Sequence, residues 1–250
     1  MLEVIKKLSE VNEGEVGIVI YSPEERNVVA SFNSDMGIPL ASSGKIAIGF
    51  VITKWVMKNQ FSWDEIIEDI RFDEHEDSHE LYPHLQGMNE LTLRNAVEVM
   101  IASHDNHLAK RIVSHCGGWD LINEELHTFF HRFHLTQDPL DINNAGNINE
   151  LFLMLNEIYE GYIGDASLWE PLMNGLVRQR SLIEGIPSHH LNHMTGGLPT
   201  VLVHLGIIGE FHNKPLLYVI GVKDVPNRSE NQESDQKVVE ALQLMYKFTQ

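Results

Sequence analysis

Leu40-Ala41-Ser42-Ser43-Gly44-Lys45 marks the point where a strand-rich N-terminal segment gives way to an apolar helix. If the helix starts at the serine, Ser42 and Lys45 share one face, because residues three apart are neighbours on a helix surface. A neutral amine within reach of a hydroxyl can take its proton and make it a nucleophile. The same residues also read as a serine N-cap followed by a solvated lysine, so the pair gains meaning only from the rest of the chain.

Upstream, residues 16–21 and 27–32 are β-branched runs joined by Ser22-Pro23-Glu24-Glu25-Arg26. They read as an antiparallel hairpin, preceded by a short amphipathic helix. Downstream, Ile48, Ile52, Trp55 and Val56 predict a mostly buried helix. Residues 61–90 are expected to hold a short helix and a solvated connection. Helical spacing returns at Leu93, Ala96, Val97, Met100 and Ile101, breaks at Ser103-His104-Asp105-Asn106, and resumes at Leu108 and Ile112. Side chains on such a break are well placed to point into a cleft. Then come Gly117-Gly118, a helix through Ile122, Leu126, Phe129 and Phe133, a polar loop over 136–147, and two helices through Leu151, Leu155 and Ile158 and through Leu168, Leu172 and Leu176.

From His193 the chain is strand-like again, with 200–208 and 215–222 as a second hairpin and a last helix through Val238, Leu242 and Met245. The order helix, two strands, many helices, three strands, helix predicts an α+β fold. Its antiparallel sheet is built from both chain ends and flanked by helices, with an all-helical lobe inserted between. The expected organisation is one catalytic unit over 1–250: an α/β lobe of 1–41 plus 180–250 and a helical lobe of 42–179.

The 36 acidic residues against 18 Lys plus Arg give a net charge of −18, which disfavours nucleic acid or an anionic membrane as partner, since both are themselves negative. A small-molecule substrate is the expected partner; the sequence does not set an oligomeric state. Cys116 is the single cysteine, so no intrachain disulfide can form. The N-terminus has no secretory pattern, and the longest apolar run, 46–52, is too short to span a bilayer; a cytoplasmic location is expected. His75-Glu76-Asp77-Ser78-His79 is a literal H-E-x-x-H. Zinc needs such a pair on a stable helix with a third ligand and an apolar face behind. Here the flanks are acidic, Pro83 follows closely, and neither Glu80 nor His84 is a distinctive third ligand. The segment is read as a solvated loop, with no metal and no cofactor expected.

Three segments taken in order, Ser42-x-x-Lys45, Ser103-His104-Asp105-Asn106 and His193-Met194-Thr195-Gly196-Gly197, resemble the signature set S-x-x-K, S-D-N and K-T-G of the class A β-lactamase and penicillin-binding serine hydrolase family. The Thr92-Leu93-Arg94 helix start, Gly117-Gly118, and Val177-Arg178-Gln179-Arg180 followed by Ile186-Pro187 are similar to that family's framework. The resemblance implies a β-lactamase/transpeptidase-like fold, with Ser42 as acylated nucleophile and Lys45 as its base. It implies an oxyanion hole from the N–H groups of Ser42 and Gly197, and substrate contacts from Asn106, Met194, Thr195 and Gly196.

Two motifs depart at their chemical atom. His104 replaces the serine that passes a proton to the leaving nitrogen, and Met194 replaces the lysine that holds a substrate carboxylate. The 136–147 loop carries Asp138 and Asp141 but no glutamate of the kind that activates the deacylating water in the family's lactamases. With a lysine missing nearby, His104 is expected to protonate more easily and to join Ser42 and Lys45 as a catalytic group; the alternative is a histidine that only caps a helix. The expected function is a serine hydrolase acting through an acyl-enzyme on an amide, lactam or ester. The alternatives are a penicillin-binding or D-Ala-D-Ala peptidase-like enzyme, or an inactive relative that binds a small ligand or a protein.

Overall fold

The computed structural model describes residues 1–180 and 182–250. The central element is a five-stranded antiparallel sheet ordered β2-β1-β9-β8-β7. Strands β1 (Glu15–Ser22) and β2 (Asn27–Phe32) come from the N-terminal side; β7 (Leu191–Leu198), β8 (Val201–Glu210) and β9 (Asn213–Lys223) come from the C-terminal side. The two ends meet where β1 pairs with β9, Ile18 opposite Ile220 and Val19 opposite Val219. The sheet is thus built from both ends of the chain, as the strand order predicts.

Strand alternation sorts the side chains into two layers. Ile18, Ile20, Tyr218 and Ile220 face a core closed by α1 (Leu2–Leu8) and α10 (Glu233–Lys247). Val19, Val203, Leu205, Leu217 and Val219 face the larger core. That core is formed with α2 (Lys45–Met57), α4 (Leu93–Ser103), α5 (Asn106–His115), α6 (Trp119–His127), α7 (Ile148–Gly164) and α8 (Ala166–Arg178). Helices α4 and α8 approach closely at Gly175, where a Cβ would come within 2.7 Å of Ile101. Lys54 closes the far end of this region: its Nζ lies 5.1 Å from the Phe50 ring centroid, 5.2 Å from Phe129 and 5.4 Å from Trp169, and is paired with Glu157. This joins a charge pair to cation–π contacts.

The structure departs from the expected elements where segments are short. Within 61–90, β4 (Ile66–Glu68) pairs with β5 (Glu90–Thr92), and α3 (Ser78–Leu81) is a single turn. The predicted helix through Phe133 ends at His127, and the polar loop ends in β6 (Ala145–Asn147), paired with β3 (Gly37–Pro39). Three-residue strands are too short to show alternation in sequence. A last short helix, α9 (Arg228–Asn231), precedes α10. Among the described residues no helix is long and apolar enough to cross a membrane.

On the α1/α10 side of the sheet lies a buried polar cluster. The His193 and His204 rings stack with centroids 5.0 Å apart, and the Tyr218 hydroxyl lies 3.0 Å from His204 Nδ1. Burial pulls His193 down to about 4 and His204 well below the usual histidine range. Both rings are therefore neutral when folded and titrate normally when unfolded. Because the unfolded chain binds more protons as pH falls below about 6.5, stability is intact above that pH and is lost on acidification. We predict that His193→Phe, which keeps a stacked ring, lowers the slope of unfolding free energy against pH between 4 and 6.5 by one proton; denaturant titrations at several pH values measure it.

Candidate active site

Ser42 sits on a 3-10 turn, Ala41–Gly44, that leads directly into α2. Ala41 has φ 49°, a left-handed conformation that costs a non-glycine residue about 1 kcal/mol. The turn is held from three sides. Ser43 Oγ donates to Leu40 O at 2.5 Å, Leu40 N donates to Asn144 O at 2.7 Å, and Asn144 Nδ2 donates to Ala41 O at 3.0 Å. Gly196 of β7 backs onto it so closely that a Cβ would collide with Leu40 O and Ser43 N, so this position requires glycine. Asn144 belongs to the polar loop, whose role in clamping the serine turn the sequence did not reveal.

Lys45 is 4% exposed. Its Nζ donates to Ser42 Oγ at 3.3 Å and to Asn106 Oδ1 at 2.7 Å. Burial lowers the amine to about 8, against the opposing pull of Glu76, Asp105 and Asp73. The helical spacing proposed from sequence thus brings this pair together, and Asn106 joins them from 61 residues away.

The break between α4 and α5 supplies three neighbouring side chains with three different tasks. His104 ends α4 in a left-handed conformation, φ 58°. Gln179 Nε2 donates to Ile101 O at 2.6 Å, which leaves Gln179 Oε1 facing His104 Nε2 at 3.1 Å. Nε2 therefore carries the proton and Nδ1 is the acceptor. Burial, followed by the Lys45 charge, pulls His104 down to about 4. This is opposite to the easier protonation expected from the loss of a lysine at Met194, because desolvation outweighs the missing charge. Asp105, fully buried, caps α5 by accepting from Leu108 N at 2.8 Å and accepts from Asp73 N at 2.9 Å.

The H-E-x-x-H segment contributes a group that a search for zinc ligands passes over. His75 and His79 are exposed, and among the described residues no group of three or more His, Cys, Asp or Glu side chains is arranged to hold a metal ion. Glu76 instead turns inward and accepts from Asn106 Nδ2 at 3.1 Å. Burial raises its carboxyl above the ordinary glutamate range, with Lys45 pulling the other way. Asn106 therefore bridges amine and carboxylate, both ends of its amide engaged. A cavity of about 300 Å³ is lined by Ser42, Asp73, Glu76, Asn106, Asp138 and Gly197, together with Lys110 and His107.

The far wall is β7, an edge strand that among the described residues pairs only with β8, and such an edge can meet a ligand with its backbone. Gly197 is exposed and Thr195 half-buried. Met194, expected among the substrate contacts, is fully buried in the larger core; alternation turns it inward, opposite in sense to Thr195. The Arg228 guanidinium lies behind Gly197, 3.4 Å from where a Cβ would stand, and is held by Asp235 through two 2.7 Å bonds.

The sequence profile of a family described as the beta-lactamase enzyme family matches residues 2–245. Among curated proteins none matches the chain. Solved structures similar in fold include a beta-lactamase from Chitinophaga pinensis DSM 2588, with TM-score 0.80 and 17% identity over 100% of this chain and 98% of that one. An ancestral class A beta-lactamase gives TM-score 0.80 at 15% identity over 98% of each chain. A PBP-A mutant held as its acyl-enzyme with penicillin G gives TM-score 0.79 at 17% identity, over 99% of this chain and 94% of that one.

Asp105 ties the α5 start to the segment carrying Glu76. Replacing it by alanine removes a cap and leaves the Asp73 N–H without its acceptor, so Asp105→Ala should lower stability by about 2–3 kcal/mol, with Asp105→Asn retaining part of it. Urea denaturation of the two variants checks the order.

Proposed function

The chain belongs to the beta-lactamase enzyme family, and from that premise we propose that it is a serine hydrolase that forms an acyl-enzyme on Ser42. The observation that carries the reading is the Lys45 amine, buried, 3.3 Å from Ser42 Oγ and fixed by Asn106. In this reading Lys45 in its neutral form takes the Ser42 proton as the hydroxyl oxygen attacks an ester, amide or lactam carbonyl. The N–H groups of Ser42 and Gly197 receive the developing negative charge, and the edge of β7 around Thr195 and Gly196 aligns the substrate. His104 stays neutral through turnover and acts as a hydrogen-bonding wall beside Lys45. With Met194 buried in place of a lysine, the favoured substrates lack the carboxylate that a lysine there would bind.

A second reading, acylation without rapid release as in a penicillin-binding protein, is favoured by the absence of a glutamate from the 136–147 loop. The two readings share the first step and part at the second.

Intact-mass measurement after incubation with a fluorophosphonate and with a penicillin tests the shared step. A single adduct is expected on the native protein and none on Ser42→Ala; an unmodified native protein with both reagents sinks the proposal. Because the amine must be neutral to act and sits at about 8, fluorophosphonate labelling should quicken about tenfold per pH unit below that value and level off above it. His104→Ser should leave that pH dependence in place, since a neutral ring contributes no titration in this range.

A further inference from the structure

The acyl-enzyme proposed above must be cleared by water, and water needs a base at neutral pH. Three carboxylates line the cavity with Ser42: Asp73, Glu76 and Asp138. Asp73 Oδ1 accepts from the N–H of His75, and Asp138 Oδ1 accepts from the N–H of Leu140, so each braces its own loop. Each of the three keeps a second oxygen without a hydrogen-bond partner among the described residues, but only Glu76 is tied through Asn106 to the Lys45 amine. One Glu76 oxygen is held by Asn106 Nδ2, which places the carboxylate one side chain away from that amine. Its segment is pinned from behind, where Asp105 Oδ2 holds the Asp73 N–H.

We infer that Glu76, presented by the H-E-x-x-H segment, is the base that activates the deacylating water. In the step, a water oxygen bonds to the acyl carbon while one of its protons passes to the free oxygen of Glu76. The bond between that carbon and Ser42 Oγ then breaks, and Oγ takes the proton that acylation left on the Lys45 ammonium. Glu76 releases its proton to solvent, balancing the one taken from solvent by the first leaving group; the product is the free acid. The raised carboxyl of Glu76 makes it a stronger base than an exposed glutamate; Lys45, Asp73, Asp105 and Asp77 are the charged groups that act on it, and Asp138, Lys110 and His107 line the same cavity. Asn106, with both ends of its amide occupied, holds the base in place.

The inference rests on the serine-hydrolase reading, and p-nitrophenyl acetate separates the two. The native protein should show a burst of nitrophenol followed by steady turnover. Glu76→Gln, which keeps an acceptor for Asn106, should still show the burst, with the pH midpoint of its rate moved down because the Lys45 amine loses that carboxylate, lose about a hundredfold or more in steady turnover, and accumulate acetyl-Ser42 by intact mass. Hydroxylamine, a nucleophile that needs no base, should release that acetyl group and restore turnover; this rescue separates a chemical role from a damaged fold, and Glu76→Asp provides a second variant with partial turnover. Native turnover by Glu76→Gln overturns the inference, as does acyl accumulation in Asp138→Asn but not in Glu76→Gln. If neither native protein nor variant is acetylated on Ser42, the hydrolase reading itself fails and takes the inference with it.

Discussion

The burial of one amine is the constraint from which the rest of the site follows. Lys45 is almost wholly removed from water, and an ammonium in that position is destabilised relative to the free amine. Its hydrogen bonds to Ser42 and Asn106 keep the burial tolerable. The carboxylates of Glu76, Asp105 and Asp73 partly offset desolvation and hold the amine near 8. With fewer of them the amine would fall further; with a more open site it would rise towards an ordinary lysine and cease to be a base near neutrality.

What places the amine is a set of close backbone contacts around a strained turn. Ala41 adopts a left-handed conformation, Gly196 admits the edge of the sheet against the turn, and Asn144 binds Leu40 and Ala41 from the polar loop. These contacts join residues 41, 144 and 196, drawn from three distant parts of the chain. The five-stranded sheet makes this possible because its outer strand, β7, has one edge that pairs with no other strand among the described residues and lies beside the serine turn.

Much of the fold was legible because long elements bury regular faces. The hairpin of β1 and β2, the final three strands and the helices through Leu93 and Leu151 all announce themselves by hydrophobic period. The resemblance of three short motifs, taken in order, located Ser42, Lys45 and Asn106, which the structure brings within hydrogen-bond distance in sequence. Glu76 was not legible. Nine acids lie between Asp64 and Glu80, and nothing local distinguishes the one that turns inward, because the choice is made by Asp105 and Asn106 about 30 residues away. The histidines on either side of it drew attention to metal chemistry while pointing into solvent. His104 was legible as a cleft residue but not as a neutral one, since burial and the Gln179 contact are properties of the folded chain.

The departures from the family motifs are physically connected. Position 194 carries no cation. With Met194 there, packed into the core, the neighbourhood of Lys45 contains a neutral imidazole on one side and acidic side chains on the other. In the proposed reading this shifts the source of base strength. The amine is tuned by burial against Glu76, and the same carboxylate, pushed up by its own desolvation and held by Asn106, becomes available for the second half of the reaction. In that reading the acid that the 136–147 loop does not provide is supplied by the segment carrying Glu76, whose neighbour Asp73 is bound by the residue that caps α5.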